Sequence, residues 1–206
     1  MLEAKLEEKQ LRQVTLSLPN YGPVKSYADM QAEAHISELI LLNANENPLG
    51  PSPLAVTAIQ KAAGNVNRYP DSASTVLRHK LAGKYGLAPE NVVLSTGGDN
   101  ILMTIAHTYL NEGDEVVLSQ PAFFSYTSTS TIMGARLVYV PLHNFALDLK
   151  AMAAACNEKT KLVYLCNPNN PTGSLINQTE LDLFLRELPQ NCLVVLDEAY
   201  AEFVDD

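Results

Sequence analysis

Long apolar runs are absent from this 206-residue sequence, and so is any surplus of basic charge. Its uninterrupted hydrophobic stretches extend only a few residues, against the ~18 that a membrane-spanning helix requires, so no membrane partner is expected. Residues Met1 to Gln13 mix acids (Glu3, Glu7, Glu8) with bases (Lys5, Lys9, Arg12), unlike the basic start and apolar run of a secretory signal. Lys and Arg number 14 against 23 Asp and Glu, a formal charge of −9 that would repel a nucleic-acid backbone or an anionic membrane. Cysteine is scarce. Cys156, Cys166 and Cys192 are odd in number and lack metal-ligand spacing, so no metal site is expected and core packing in a reducing cytoplasm suits them. There is no repeat of fixed period, and no Gly/Ser-rich or Pro-rich linker divides the chain.

What is present reads as a globular chain, 47% apolar, long enough for one well-buried domain. From residue 90 onward, short β-branched runs alternate with helical segments. Val92–Leu94, Val116–Leu118, Leu137–Val140, Leu162–Leu165 and Leu193–Leu196 are continuous apolar runs, as expected of strands in a sheet covered on both faces. Between them, Ile101, Leu102, Ile105, Ala106 and Tyr109 fall on one helical face, and Leu181, Phe184, Leu185 and Leu188 on another. This rhythm predicts an α/β domain with a mostly parallel sheet and helices on both faces. The first ninety residues differ: a short strand is expected over Leu39–Leu42, then the turn-rich Asn43–Pro48. A helix is expected to start at Ser52-Pro53 and run towards Gly64, and a second to span Ser74 to Tyr85 and stop at Gly86.

Ligands of such sheets sit beyond the carboxyl ends of the strands, so those ends carry the candidate chemistry. Ser95-Thr96-Gly97-Gly98-Asp99-Asn100 leads into a helix, whose free N–H groups favour an anion; a plain tight turn would also use glycine. Neither a GxGxxG nor a GxxxxGK[ST] pattern occurs, which disfavours a nucleotide-binding oxidoreductase. Gln120–Tyr126 offers aromatics that can stack on a flat heterocycle or simply cover the sheet edge. Asn167-Pro168-Asn169-Asn170-Pro171-Thr172-Gly173 presents three side-chain amides on a proline-stiffened segment, more than a generic turn needs. Asp197-Glu198-Ala199-Tyr200 puts an acid at the end of an apolar run; such an acid requires a partner, which a protonated pyridine nitrogen would be. The alternative is a surface acid or a helix N-cap.

Together these segments resemble the fold-type I pyridoxal 5'-phosphate (PLP) aminotransferases, and within them the histidinol-phosphate aminotransferase family. The resemblance covers roughly Leu39 to Val204. Besides the segments above it rests on Asn45-Glu46-Asn47-Pro48-Leu49-Gly50, Arg68-Tyr69-Pro70-Asp71 and Pro121-Ala122-Phe123. Asn100 departs from the glutamate common in the family.

The resemblance implies roles. Asp197 would pair with the pyridine nitrogen and keep it protonated. Asn170 and Tyr200 would hydrogen-bond the ring's phenolic oxygen, Phe123 would stack on the ring, and the backbone of Gly98 and Asp99 would hold the phosphate. Tyr69 would reach the cofactor phosphate of a neighbouring subunit, which implies a homodimer. Asn45 and Asn47 would lie near an amino-acid-like substrate. The implied organisation is an arm over residues 1–38, a partial PLP-transferase large domain over 39–206, and a small carboxy-terminal domain outside the sequence. The Schiff-base lysine of the family is also missing, since the last lysine is Lys161. No catalytic residue is therefore assigned, and the chain by itself is expected to be inactive. Relatives place two further strands within the sheet, so the isolated chain is also expected to be aggregation-prone. Histidinol phosphate with glutamate as amino donor is the leading substrate pair. Other class I/II aminotransferases, amino-acid-phosphate decarboxylases and a non-catalytic PLP- or phosphate-binding module are the alternatives.

Overall fold

The computed structural model describes residues 11–18 and 25–205 and contains two compact units, one centred on Ser95–Asp206 and the other on Asn20–Leu94. Of the expected arm, residues 1–10 and 19–24 lie outside the described residues.

The Asn20–Leu94 unit is helical. Helix α1 (Tyr27–Ala34) is capped by Ser26, whose hydroxyl accepts from the Asp29 N–H. Helix α2 (Pro53–Ala62) begins at the expected proline, although the Ser52 side chain makes no capping bond. Helix α3 (Thr75–Tyr85) ends where glycine at φ 66° lets the chain turn left-handed, at Gly86. At its start the carboxylate of Asp71, and not Ser74, accepts from the N–H groups of Ala73 and Thr75 (3.0 and 2.8 Å). Two expected strands do not form. Leu39–Leu42 is irregular, with Ile40 and Leu42 more than four-fifths exposed, and Val92–Leu94 follows a 3-10 turn with Val93 72% exposed. A strand needs a neighbour for its N–H and C=O groups, and among the described residues neither segment has one.

The Ser95–Asp206 unit is the α/β domain. Helix α4 (Gly98–Tyr109) leads to strand β1 (Glu115–Gln120), then α5 (Phe124–Ile132), β2 (Arg136–Pro141), α6 (Leu149–Ala155), β3 (Thr160–Cys166), α7 (Gln178–Glu187) and β4 (Leu193–Asp197). The strands are parallel, in the order β2-β1-β3-β4. Adjacent side chains of a strand point to opposite faces, and here both faces are covered. Val116 and Leu118 of β1 join Leu162 and Tyr164 of β3 under α4 and α5. Val117, Val163 and Leu165 pack on the other face with Met152 of α6 and Phe184 of α7. That two-sided burial is why the strands read as unbroken apolar runs. Helix α7 carries a capping box, Asn177 and Glu180 each accepting from the other's N–H. Its buried anchor is Phe184, whereas Leu185 of the expected face is 45% exposed. Residues 11–18 belong to this unit: Arg12 donates to the Ile132 carbonyl at the end of α5 (2.8 Å).

Candidate active site

The order of the strands decides where a ligand can sit. The chain runs outward from β1 to β2, then returns to lay β3 on the other side of β1. Such a reversal opens a crevice at the carboxyl ends of the two inner strands. Phe123 follows β1 there, the Asn167–Gly173 loop follows β3, and Asp197 is the last residue of β4, in register with Cys166.

Asp197 is held by both oxygens. Tyr126 donates to Oδ2 (2.6 Å) and the Ala199 N–H donates to Oδ1 (3.0 Å). The Tyr126 ring is 2% exposed, stacks on Tyr164 (centroids 4.6 Å apart, planes within 5°) and meets Phe123 edge-on at 5.5 Å. Burial, then the Asp197 carboxylate, push its phenol far above the ordinary value, so it remains a donor. Next to Tyr126 in sequence, Ser125 donates to Asp99 Oδ1 (2.7 Å), tying α5 to the first turn of α4.

The asparagine-rich loop divides its amides between two tasks. Asn167 brackets Ile176, accepting from its N–H (2.8 Å) and donating to its carbonyl (3.2 Å), and its own N–H donates to the Asp197 carbonyl. Asn169 is buried and donates to the Thr172 hydroxyl (2.6 Å). With these two holding the loop, Asn170 is turned to the Tyr200 hydroxyl at 3.5 Å. Both prolines of the loop follow cis peptide bonds.

At the start of α4, Gly97 adopts φ 91° and Gly98 is the first helical residue. A Cβ on either glycine would meet no described atom within 4 Å. Ser95 and Asn100 are joined side chain to side chain just below.

Six of the nine candidate residues, Gly98, Asp99, Phe123, Asn170, Asp197 and Tyr200, therefore lie in the one α/β unit. Asp197 and Phe123 meet through Tyr126, Asn170 meets Tyr200, and Asp99 joins α5 through Ser125. Tyr69, Asn45 and Asn47 belong to the other unit, where Tyr69 is fully exposed and Asn47 Oδ1 accepts from the Leu49 N–H. Tyr126 and Ser125 carry no assignment in the sequence reading, although both stand in or beside the aromatic segment it marks. A groove of about 450 Å³ between α6 and α7 contains none of the candidate residues, so chemistry and not cavity size marks this site.

The same architecture occurs in solved enzymes. Over 95% of this chain and 52% of the other, the structure superposes on histidinol-phosphate aminotransferase from Sinorhizobium meliloti, crystallised in complex with pyridoxal-5'-phosphate (TM-score 0.85, 32% identity). N-Succinyldiaminopimelate aminotransferase of Mycobacterium tuberculosis is 33% identical, with a TM-score of 0.64 over 79% of this chain and 45% of that one. The fold is that of the fold-type I PLP-dependent aminotransferases. Residues 37–206 match the family Aminotransferase class I and II, and the chain belongs to it. Among curated relatives, histidinol-phosphate aminotransferase of Moorella thermoacetica is 46% identical over 94% of this chain and 50% of its own length; that of Brevibacillus brevis is 44% identical over 96% and 54%. The chain spans about half the length of these relatives. Among the described residues no helix is long and apolar enough to cross a membrane, and no cluster of His, Cys, Asp or Glu suits a metal ion.

Proposed function

We propose that this chain supplies the cofactor-holding part of a PLP-dependent aminotransferase that interconverts histidinol phosphate and its imidazole ketone phosphate, with glutamate and 2-oxoglutarate as the second pair, in histidine biosynthesis. The observation that carries this reading is Asp197, fixed by Tyr126 and Ala199 at the end of β4 in the unit that also joins Asn170 to Tyr200. The residues fit the cofactor in kind: a carboxylate for a ring nitrogen, two polar side chains for a phenolic oxygen, an aromatic face, and a glycine-lined helix start open to a phosphate.

When bound, PLP would supply an electron sink for the amino-group transfer. The carboxylate of Asp197 would hold a proton on the pyridine nitrogen, with Tyr126 and the Ala199 N–H keeping that carboxylate aimed. Asn170 and Tyr200 would present their polar groups to the phenolic oxygen, and Phe123 would offer its aromatic face to the ring. Gly98 and Asp99 offer backbone N–H groups to the phosphate. The reading extends to a cytoplasmic homodimer in which Tyr69 reaches the neighbouring cofactor's phosphate and Asn45 and Asn47 approach the substrate. It also takes residues 39–206 as part of the large domain and residues 1–38 as an arm.

The test is an assay of the natural full-length protein with histidinol phosphate and 2-oxoglutarate, against aromatic and aliphatic amino acids as competing donors. Histidinol phosphate should have the highest kcat/KM, and Asp197→Asn should lower it on the order of 10²-fold or more. A clear preference for another donor would remove the histidinol-phosphate reading; full activity in Asp197→Asn would remove the site assignment.

A further inference from the structure

At the opposite, amino-terminal edge of the same sheet, two cysteines that the proposed aminotransferase chemistry does not use come together. Cys156 caps the end of α6, and a tight turn closed by the Thr160 N–H on the Asn157 carbonyl (2.9 Å) leads from it into β3. Cys192 immediately precedes β4, and the pairing of Leu162 with Leu193 sets it beside the first residues of β3. Both side chains are half-buried against the same apolar cluster of Val163, Met152 and Phe184. Cys192 also lines a surface pocket of about 380 Å³ with Tyr109, Lys161, Gln190 and Asn191, so a small reagent can reach it.

We propose that Cys156 and Cys192 are a reversible oxidation site, a dithiol that a small hydroperoxide entering this pocket converts to a disulfide. The roles of the two sulfurs differ. The Cys156 S–H donates to the Met152 carbonyl (3.2 Å), and the neighbouring Cys192 thiol, with burial, raises Cys156 above its ordinary value. The neighbouring Cys156 thiol lowers Cys192, which also lines the pocket, so Cys192 is the better thiolate and the attacking group. Its sulfur attacks the terminal peroxide oxygen and the O–O bond breaks. The leaving oxygen takes a proton and departs as an alcohol, or as water from hydrogen peroxide, and Cys192 becomes a sulfenic acid. The Cys156 sulfur then attacks the Cys192 sulfur; its proton leaves with the displaced hydroxide as water, and the S–S bond forms. Two thiols and one hydroperoxide thus give one disulfide, one water and one alcohol. Cys166 is no competitor: it ends β3, about 20 Å along the strand, with its thiol donating to the Pro168 carbonyl.

The experiment uses the natural full-length protein, reduced, exposed to hydrogen peroxide, alkylated with N-ethylmaleimide, digested and examined by mass spectrometry. The expected product is a cross-linked peptide pair containing Cys156 and Cys192, lighter by two hydrogens and returned to free thiols by dithiothreitol, with Cys166 alkylated throughout. In Cys192→Ser, Cys156 should oxidise at least tenfold more slowly. The proposal is overturned if both thiols stay open to alkylation, if Cys192 goes on to sulfinic acid without the cross-link, or if either pairs with Cys166. An unchanged rate at Cys156 in Cys192→Ser would overturn the assignment of Cys192 as the attacking sulfur.

Discussion

The hydroxyl of Tyr126 donates a 2.6 Å hydrogen bond to Oδ2 of Asp197, joining the last aromatic of one strand-end segment to the terminal acid of another, 71 positions on. The bond lies at the rim of the apolar core, since Tyr126 is itself stacked on Tyr164 and met edge-on by Phe123. A carboxylate there, with one oxygen on a phenol and the other on a backbone N–H, has little freedom to turn. Orientation of the acid is therefore built into the packing of α5 on the sheet.

Tyr126→Phe keeps the ring stack and deletes the donor. A hydrogen bond to a charged group contributes about 1.5–3 kcal/mol, so kcat/KM of the full-length enzyme should fall roughly 10- to 100-fold. Tyr126 acts through Asp197, so the absorbance pH titration of bound PLP should shift as well. A fall in activity with an unchanged titration would mean a packing role alone.

The same tyrosine gives a pH dependence of stability. Its folded pKa is raised above the unfolded value of about 10, so the folded state holds a proton that the unfolded state releases. The associated stability is complete below pH 10 and declines as the pH rises beyond it. Urea denaturation between pH 8 and 11 should show this decline, and Tyr126→Phe should flatten it.

The two faces of the sheet supply an independent check of the fold. Leu118 packs under α4 and α5, Leu165 under α6 and α7, and both are fully buried. Either residue changed to Ala should cost about 2–5 kcal/mol by denaturant titration. The double variant should lose close to the sum, because the cavities open into separate clusters.

The 206 residues expressed by themselves should not transaminate any amino acid, because no lysine follows Lys161. They should also aggregate, given apolar side chains as exposed as Ile40, Leu54 and Val93. Size-exclusion chromatography with an activity assay checks both expectations; a monodisperse, cooperatively melting monomer would contradict the second.

Much of this was legible in the sequence for a local reason. Four of the apolar runs became strands, helix α4 starts at the Gly97-Gly98 turn, and α3 stops at Gly86. Periodicity and turn chemistry act over a few residues and leave their mark in composition. Val92–Leu94 has the same composition and formed no strand, because pairing is a property of a neighbour and not of the segment.

Local motifs sufficed for the α/β class, for the family resemblance, and for Gly98, Asp99, Phe123, Asn170, Asp197 and Tyr200 as candidates, since each sits at a fixed local spacing. Packing of the whole domain was needed to show that Tyr126 holds Asp197, that Asn170 and not Asn167 or Asn169 turns to Tyr200, and that Cys156 shares a cluster with Cys192. These pairings depend on the order β2-β1-β3-β4, which sets distant segments side by side at each edge of the sheet. That order is set by which faces bury the most apolar surface together, a balance over the whole domain that no short stretch of sequence records.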